Sequence, residues 1–320
     1  MITNTETVRA DAGDSQAESP AFKRPRLRWR RKSTLVAYAF LAPWIIGLVV
    51  FYLGPVATSA ILSFTDYNII SPAEFTGFDN YEKMITDGEF VQALKVTLYY
   101  TAFFLLMYVV LSLFVAMLAN RPGRGSGLFR LIVFLPSLIP LFAAAVLWGW
   151  IFNTDFGLIN YLLEEMGLPR QGFFQSPQQA LPLVGMLTFW SIGSAFLVYL
   201  SGLQSIPTHL YEAITVDGAS AVRRFWHVTL PMLSPVILFN LIIGIVLSFQ
   251  VFDIAWVLTD GGPANRTLFW VLLIFRRAFQ DFEMGYASAL SWVLFIVVAC
   301  VTGLIFRTSR WWVHYEGRSR

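Results

Sequence analysis

Six apolar stretches, each long enough to span a bilayer as a helix, decide most of what this chain can fold into. They run about Leu35–Phe64, Val96–Ala119, Leu131–Phe152, Leu181–Leu203, Leu233–Leu258 and Gly285–Phe306, with few or no ionisable groups inside. A hydrocarbon core needs roughly 20 apolar residues per helix. Composition agrees: only 13% of the 320 residues are charged, against about 25% in soluble domains. The single cysteine, Cys300, lies inside the sixth stretch. No intrachain disulfide is possible, so the fold must rest on helix packing.

A formal charge of +3 could suggest nucleic acid, but the distribution of the charges argues against it. Of 23 Lys and Arg residues, eight precede Leu35, most of them in "KRPRLRWRRK" (Lys23–Lys32). Arg121, Arg124 and Arg130 flank the second loop, Arg223 and Arg224 lie in the fourth, and Arg307, Arg310, Arg318 and Arg320 follow the last stretch. With six crossings all of these fall on one side, so the positive-inside rule expects both termini in the cytoplasm. The basic run is then a topology determinant with weak lipid contact as an extra. The apolar region after it is too long for a signal peptide and no clean small-residue cleavage site follows, so it reads as an uncleaved first span. Met1–Phe22 is polar and poor in aromatics, and disorder is expected there.

The first outside loop, Thr65–Leu94, is acidic (Asp66, Glu74, Asp79, Glu82, Asp87, Glu89), with a short surface helix expected around Tyr81–Ile85. "NRPGRGSG" (Asn120–Gly127) is a Gly/Pro/Arg turn. It follows no strand and lacks the Gly-Lys-Ser/Thr ending of a phosphate cradle, and no other phosphate-loop pattern exists in the chain. Pro136 and Pro140 in the third span each remove a backbone donor, which fits either a bent helix or one bent around a cavity. In the fourth span Gly185, Thr188, Ser191, Ala195 and Gly202 include steps of three or four residues. Such a face serves close helix packing, or lines a path with hydroxyls. The fifth span holds Asn240, Gln250 and Asp253. On one continuous helix Gln250 and Asp253 are neighbours and Asn240 stands apart. Asp253 either reaches the interface or marks a site or gate.

Between the fourth and fifth spans lies "YEAITVDGASAVRRFWHVTLPMLSP" (Tyr211–Pro235). Pro207 suits a helix's first turn, "THLYEAITV" continues it for about two turns, and Asp217-Gly218 breaks it. "ASAVRRFWHV" forms a second short helix with Val222, Phe225 and Trp226 toward one side and Arg223 and His227 on another. Pro231 closes the unit before the next span. Two short amphipathic helices with a hinge fit either a protein-docking element or an interfacial helix lying on lipid.

Glu212-Ala213, Gly218, Val228 and Leu230-Pro231 resemble the EAA loop of ABC importer permeases, with Ile214 in place of the second alanine and Val228 in place of an isoleucine. "GFDNYEKMITDGEFVQALKVTLYYT" (Gly77–Thr101), "FDIAWVLTDGGPANRT" (Phe252–Thr267) and "GYASALS" (Gly285–Ser291) look like the binding-protein-dependent carbohydrate permeases of the maltose and glycerol-3-phosphate type. The resemblance runs from about Leu35 to Arg307. It implies an all-α, six-helix transmembrane bundle of the type I importer kind in the cell membrane, both termini cytoplasmic. Residues 1–34 form a basic cytoplasmic N-terminus and 35–306 the permease domain, with the importer core at about 92–306 and the coupling loop at 204–231. Residues 307–320 are a cytoplasmic tail.

The same resemblance implies the partners: a second, unlike permease subunit, a cytoplasmic ATPase dimer that uses the ATP, and an extracytoplasmic solute-binding protein. The chain itself binds no cofactor or metal and is not an enzyme. Its coupling loop would be Glu212, Ala213, Asp217, Gly218, Ala219, Phe225, Trp226, Leu230 and Pro231, with Glu212 on the ATPase, Gly218 as the bend, and Phe225 with Trp226 filling an apolar contact. Thr188, Ser191, Asn240, Gln250 and Asp253 are candidates for the substrate path. Alternatives are a permease for a polyol or glycerophosphate, or a secondary transporter. The absence of a chain of buried acids and bases argues against proton coupling. His209, His227, His314 and Cys300 form no metal-ligand spacing, which argues against a membrane enzyme.

Overall fold

The computed structural model describes residues 31–188, 190 and 192–314. The leader Met1–Phe22, most of the basic run, Ser191 and the residues past His314 lie outside the described residues. The described residues fall into two compact units, divided after Pro55. In the first, helix α1 (Arg31–Leu48) contains Pro43 and gives way to a π-helical turn, Val49–Leu53. Phe40, Trp44 and Phe51 are exposed, as a helix solvated by lipid requires. Helix α2 (Gly54–Leu62) follows, and Val36–Leu62 is long and apolar enough to cross a membrane.

The first loop carries a two-stranded antiparallel pair, β1 (Thr65–Asp66) with β2 (Glu74–Phe75), and the surface helix α3 (Asp79–Thr86). Asp87 caps the next helix by accepting the Glu89 N–H at 2.8 Å. That helix, α4 (Gly88–Ala119), has 32 residues and is about 48 Å long at 1.5 Å per residue. Ala93, Thr97, Tyr100, Phe104, Tyr108, Ser112, Ala116 and Ala119 are buried, a single stripe at helical spacing. Tyr100, Phe104 and Tyr108 stack along it at 5.3 and 5.1 Å.

The third apolar stretch is broken, not merely kinked. α5 (Ser126–Phe134) runs into a 3₁₀ turn, Leu135–Leu138, and α6 (Leu141–Ile151) leaves at 95°. Ile139 and Pro140 are extended at the corner, as expected where proline removes a donor and disfavours helix in the residue before it. α7 (Leu158–Glu165) and a 3₁₀ turn, Phe173–Gln175, occupy the next loop.

The fourth stretch also divides, into α8 (Ala180–Thr188) and α9 (Gly193–Ser205). At 13 residues α9 is only about 20 Å long, short of a roughly 30 Å hydrocarbon core. Among the described residues, four helices are long and apolar enough to cross a membrane, or five if the bent pair α5–α6 counts as one.

After α10 (Thr208–Val216) and α11 (Ala221–Arg224) comes α12 (Leu230–Phe249), then α13 (Asp253–Leu258), α14 (Trp270–Phe275) and α15 (Met284–Trp312). α4 packs against both α9 and α12, and α13 packs on α6. A β-carbon on Gly202 would stand 2.8 Å from Val236, so the absence of a side chain lets α9 approach α12 closely. Two apolar cores result. One surrounds the N-terminal half of α4 with α13, α14 and α15. The other joins the last turns of α4 to α9 and the start of α12.

Candidate functional site

The second core carries the loop that the sequence singled out. α9 ends at Ser205, Ile206 and Pro207 are extended, and α10 starts at Thr208. α10 closes on Gly218 at φ +73°: the Gly218 N–H donates to the Thr215 carbonyl (3.0 Å) and the Ala219 N–H to that of Ile214 (3.2 Å). This paired arrangement satisfies carbonyls that the helix end would leave open, and it needs a left-handed residue at the position glycine occupies. Ser220 then caps α11 by accepting the Arg223 N–H.

From Ala221 the chain stays helical into the membrane. α11 passes through a π-helical turn, Phe225–Thr229, directly into α12. Pro231 therefore does not close the unit. It sits in the first turn of α12, where a missing N–H costs little after the wider π spacing. The π turn also separates side chains expected on one side. Phe225 is half-buried against the second core, while Val222 and Trp226 stay exposed at 68% and 60%. Leu230 and Pro231 are half-buried, as is Ala219.

Loop and bundle are fastened at two points. The Tyr211 hydroxyl on α10 hydrogen-bonds the buried Thr229 hydroxyl in the π turn at 3.0 Å. Leu210, Tyr211, Phe225 and Val228 pack onto the cluster of Leu113, Ala116, Phe196, Leu203 and Leu233. Arg130 caps the same end of α4, donating from Nε and Nη2 to the Ala119 carbonyl at 3.2 and 3.0 Å. What faces outward is mixed: Glu212, Ala213, Asp217 and Arg223 are exposed beside Val216, Val222 and Trp226. Among the described residues Glu212 and Asp217 form no ion pair. Free carboxylates interleaved with exposed apolar side chains can be matched by a partner protein's surface.

The substrate-path candidates do not gather. Thr188 ends α8 and Ser191 lies outside the described residues. Asn240 is buried and donates to the Val236 carbonyl of its own helix at 3.1 Å. Gln250 and Asp253 are not neighbours on one helix. α12 ends at Phe249, Gln250 leaves the helical region, and Asp253 begins α13. No proline or glycine marks that break. Phe252 stacks on Trp256 at 5.4 Å and packs on Phe275, while Ile254 and Ala255 are buried, so tertiary packing turns the chain. Gln250 and Asp253 are both exposed.

At the opposite end of α4 an ion cluster emerges that the sequence reading did not assemble. Arg277 lies 2.9 Å from Glu89, 3.1 Å from Asp281 and 3.3 Å from Asp87, and Tyr286 donates to Asp87 at 2.8 Å. Burial pushes the Asp87 carboxyl up. The hydrogen bonds from Tyr286 and the Glu89 N–H, with the Arg277 charge, outweigh burial and hold it below the usual carboxylate range. Asp87 and Glu89 stand about 190 residues from Arg277 in sequence, so only folding brings them together. Gly285 completes this end: its N–H donates to the Tyr67 carbonyl at 3.1 Å, and a β-carbon there would overlap the Thr65 carbonyl oxygen.

Residues 108–312 match the family model described as the binding-protein-dependent transport system inner membrane component. The chain is 40% identical over 293 residues to a probable ABC transporter permease protein, YesP, of Bacillus subtilis, covering 90% of this chain and 94% of the relative. It is 35% identical to the sulfoquinovosyl glycerol transport system permease protein SmoG of Agrobacterium fabrum, covering 88% and 94%. It is 30% identical to the sn-glycerol-3-phosphate permease UgpA of the same organism, covering 88% and 97%. Among solved structures, a bacterial alginate ABC transporter in complex with an alginate pentasaccharide-bound periplasmic protein matches with a TM-score of 0.78 at 25% identity, covering 87% of this chain and 95% of that one.

Proposed function

The chain belongs to the binding-protein-dependent transport system inner membrane components, and from that membership we propose that it is one of two unlike permease subunits of an ATP-driven carbohydrate importer. The family is one of multi-pass membrane transport components, which sets aside the enzyme and secondary-transporter alternatives. The carbohydrate reading is supported by one relative, the permease protein of a sulfoquinovosyl glycerol transport system, and by the fold shared with an alginate transporter. In this reading the α10–α11 loop faces the cytoplasm and docks an ATPase, and the Asp87–Arg277 end faces a solute-binding protein. The basic residues flanking the loop side support that orientation. The two divided stretches count as the third and fourth of six spans.

One observation carries the mechanism: α11, the π turn and α12 form a continuous helical path from the docking surface into the membrane. ATPase closure displaces α10 and α11 together, because Tyr211 and the second apolar core bind them to α4, α9 and α12. The displacement reaches the bundle as rigid-body motion, and the pathway alternates its access. No covalent step occurs in this chain.

The test is reconstitution with the second permease, the ATPase and the binding protein. Saccharide-stimulated ATP hydrolysis and saccharide accumulation are expected. Glu212→Ala should weaken ATPase retention by about 1–3 kcal/mol, the worth of one charge-assisted contact, without changing thermal stability. Full ATPase retention by that variant would remove Glu212 from the interface.

A further inference from the structure

Two adjoining cavities of about 340 and 410 Å³ lie at the Asp87–Arg277 end, away from the coupling loop. They share Phe174, Gln175, Val257 and Leu258 and are bounded by the end of α6, the 3₁₀ turn Phe173–Gln175 and the Thr259–Thr267 loop. Each lies within the usual size range of small-molecule sites, roughly 300–1,000 Å³. Neither contains a residue assigned above to the coupling loop or the path.

Three features of the lining point to one class of occupant. Trp150 borders one cavity and Trp256 the other, exposed at 66% and 40%. The Trp150 ring, and the side of the Trp256 ring that Phe252 does not cover, can meet the C–H face of a pyranose. Both amides keep hydrogen-bonding capacity unused. Gln175 engages only its backbone N–H, to the Gly172 carbonyl, and its side chain has no partner among the described residues. Asn153 uses its carbonyl oxygen to accept the Asp155 and Phe156 N–H groups, which leaves its NH₂ free to donate. The third feature is charge. Asp260 is the one ionisable residue of the two linings, and Arg276 lies 3.4 Å from its carboxylate and also donates to its carbonyl. With that charge paired, nothing in the groove recommends a phosphate, a sulfonate or a uronate.

The loop that forms one wall is held rigid. Asp260, Gly261, Ala264 and Asn265 all have positive φ (43°, 76°, 51° and 55°), a conformation that persists in residues bearing a β-carbon only when the surroundings impose it. Thr267 supplies much of that constraint, donating to the Gly262 carbonyl at 2.6 Å and meeting the Thr259 hydroxyl at 2.6 Å. Gln92 of α4 adds a bond to the Asn265 carbonyl at 3.3 Å.

We propose that this groove is a subsite for a neutral saccharide, in which Trp150 and Trp256 offer stacking faces and the Gln175 and Asn153 amides hydrogen-bond hydroxyls. The proposal rests on the carbohydrate-import reading and adds a place and a charge class to it.

The experiment uses the reconstituted four-component transporter carrying Val257→Cys, a position that lines both cavities, in a Cys300→Ala background. Cys300 is the chain's single native cysteine, so maleimide label on the band of this subunit reports the new thiol alone. Val257 is half-buried and cysteine is close to valine in volume, so the exchange leaves the fold and both amides intact. Maltose, cellobiose, lactose and digalacturonate are offered to the wild-type assembly, and the one that accumulates becomes the probe. A neutral disaccharide should accumulate and should slow maleimide labelling during turnover by about threefold or more, with digalacturonate without effect. Protection by digalacturonate instead would overturn the charge assignment. Equal labelling with and without the accumulated disaccharide would overturn the subsite and leave the import reading standing. Labelling blocked by assembly with the second permease alone would make the groove a subunit interface. Accumulation of none of the four by the wild type would overturn the carbohydrate reading and the subsite with it.

Discussion

Gly218 shows how one residue sets the backbone path between two helices. Its φ is +73°, and nothing lies within 4 Å of where a β-carbon would stand. Substitution there is strained by backbone geometry and not by collision. Left-handed backbone in a residue with a β-carbon costs about 1–3 kcal/mol, most for a β-branched one. Gly218→Val is therefore expected to insert and purify, because no membrane helix depends on the residue, but to lose stimulated ATP hydrolysis. Gly218→Ala should lose less. Co-purification of the ATPase with stimulated hydrolysis in vesicles measures both, and normal hydrolysis by the valine variant would remove the turn from the coupling path. This turn was legible because glycine after a helix is a local signal. The shared helical face expected for Gln250 and Asp253 is lost to a break in the helix that no local residue announces.

At the scale of elements, the π turn between α11 and α12 matters most. It turns Phe225 toward the core and keeps Trp226 outside. Tyr211→Phe removes the one side-chain hydrogen bond between α10 and this turn and leaves the buried Thr229 hydroxyl short of a partner. A loss of about 1 kcal/mol is expected, read as a lower midpoint in thermal unfolding of the purified complex, with ATPase retention reduced less than in Glu212→Ala.

The opposite end of α4 predicts a pH dependence. The folded pKa of Asp87 is lowered, so its contribution to stability is fully present above the unfolded value, near 4, and is lost as pH falls through the lower folded value. The midpoint difference between wild type and Asp87→Asn should be largest near neutral pH and should narrow below about pH 4. A difference that stays constant across that range would mean the carboxylate charge contributes nothing.

For the whole molecule, orientation is the property to test. Deleting Lys23–Lys32 removes the densest positive charge before the first apolar stretch. By the positive-inside rule the truncated chain should insert in mixed orientation, while molecules that insert correctly should turn over normally. Protease accessibility in oriented vesicles separates the two populations, and uniform native orientation would assign the topology to the later basic loops.

The sequence by itself determined the apolar segments, the acidic and basic loops, the turn at Gly218 and the resemblance that family membership bears out. Each of these is local: a run long enough for a bilayer, a charge beside it, a residue type suited to one backbone angle. The tertiary structure decided where apolar runs cease to be single helices, as at the 95° corner of α5–α6 and the break after Phe249. It also decided which distant groups meet, as Arg277 meets Asp87 and Glu89. A hydrophobic run reports that its side chains leave water, but not whether they face lipid, a neighbouring helix or a cavity. That choice depends on the packing surface the rest of the chain provides, and for α13 the surface is α6.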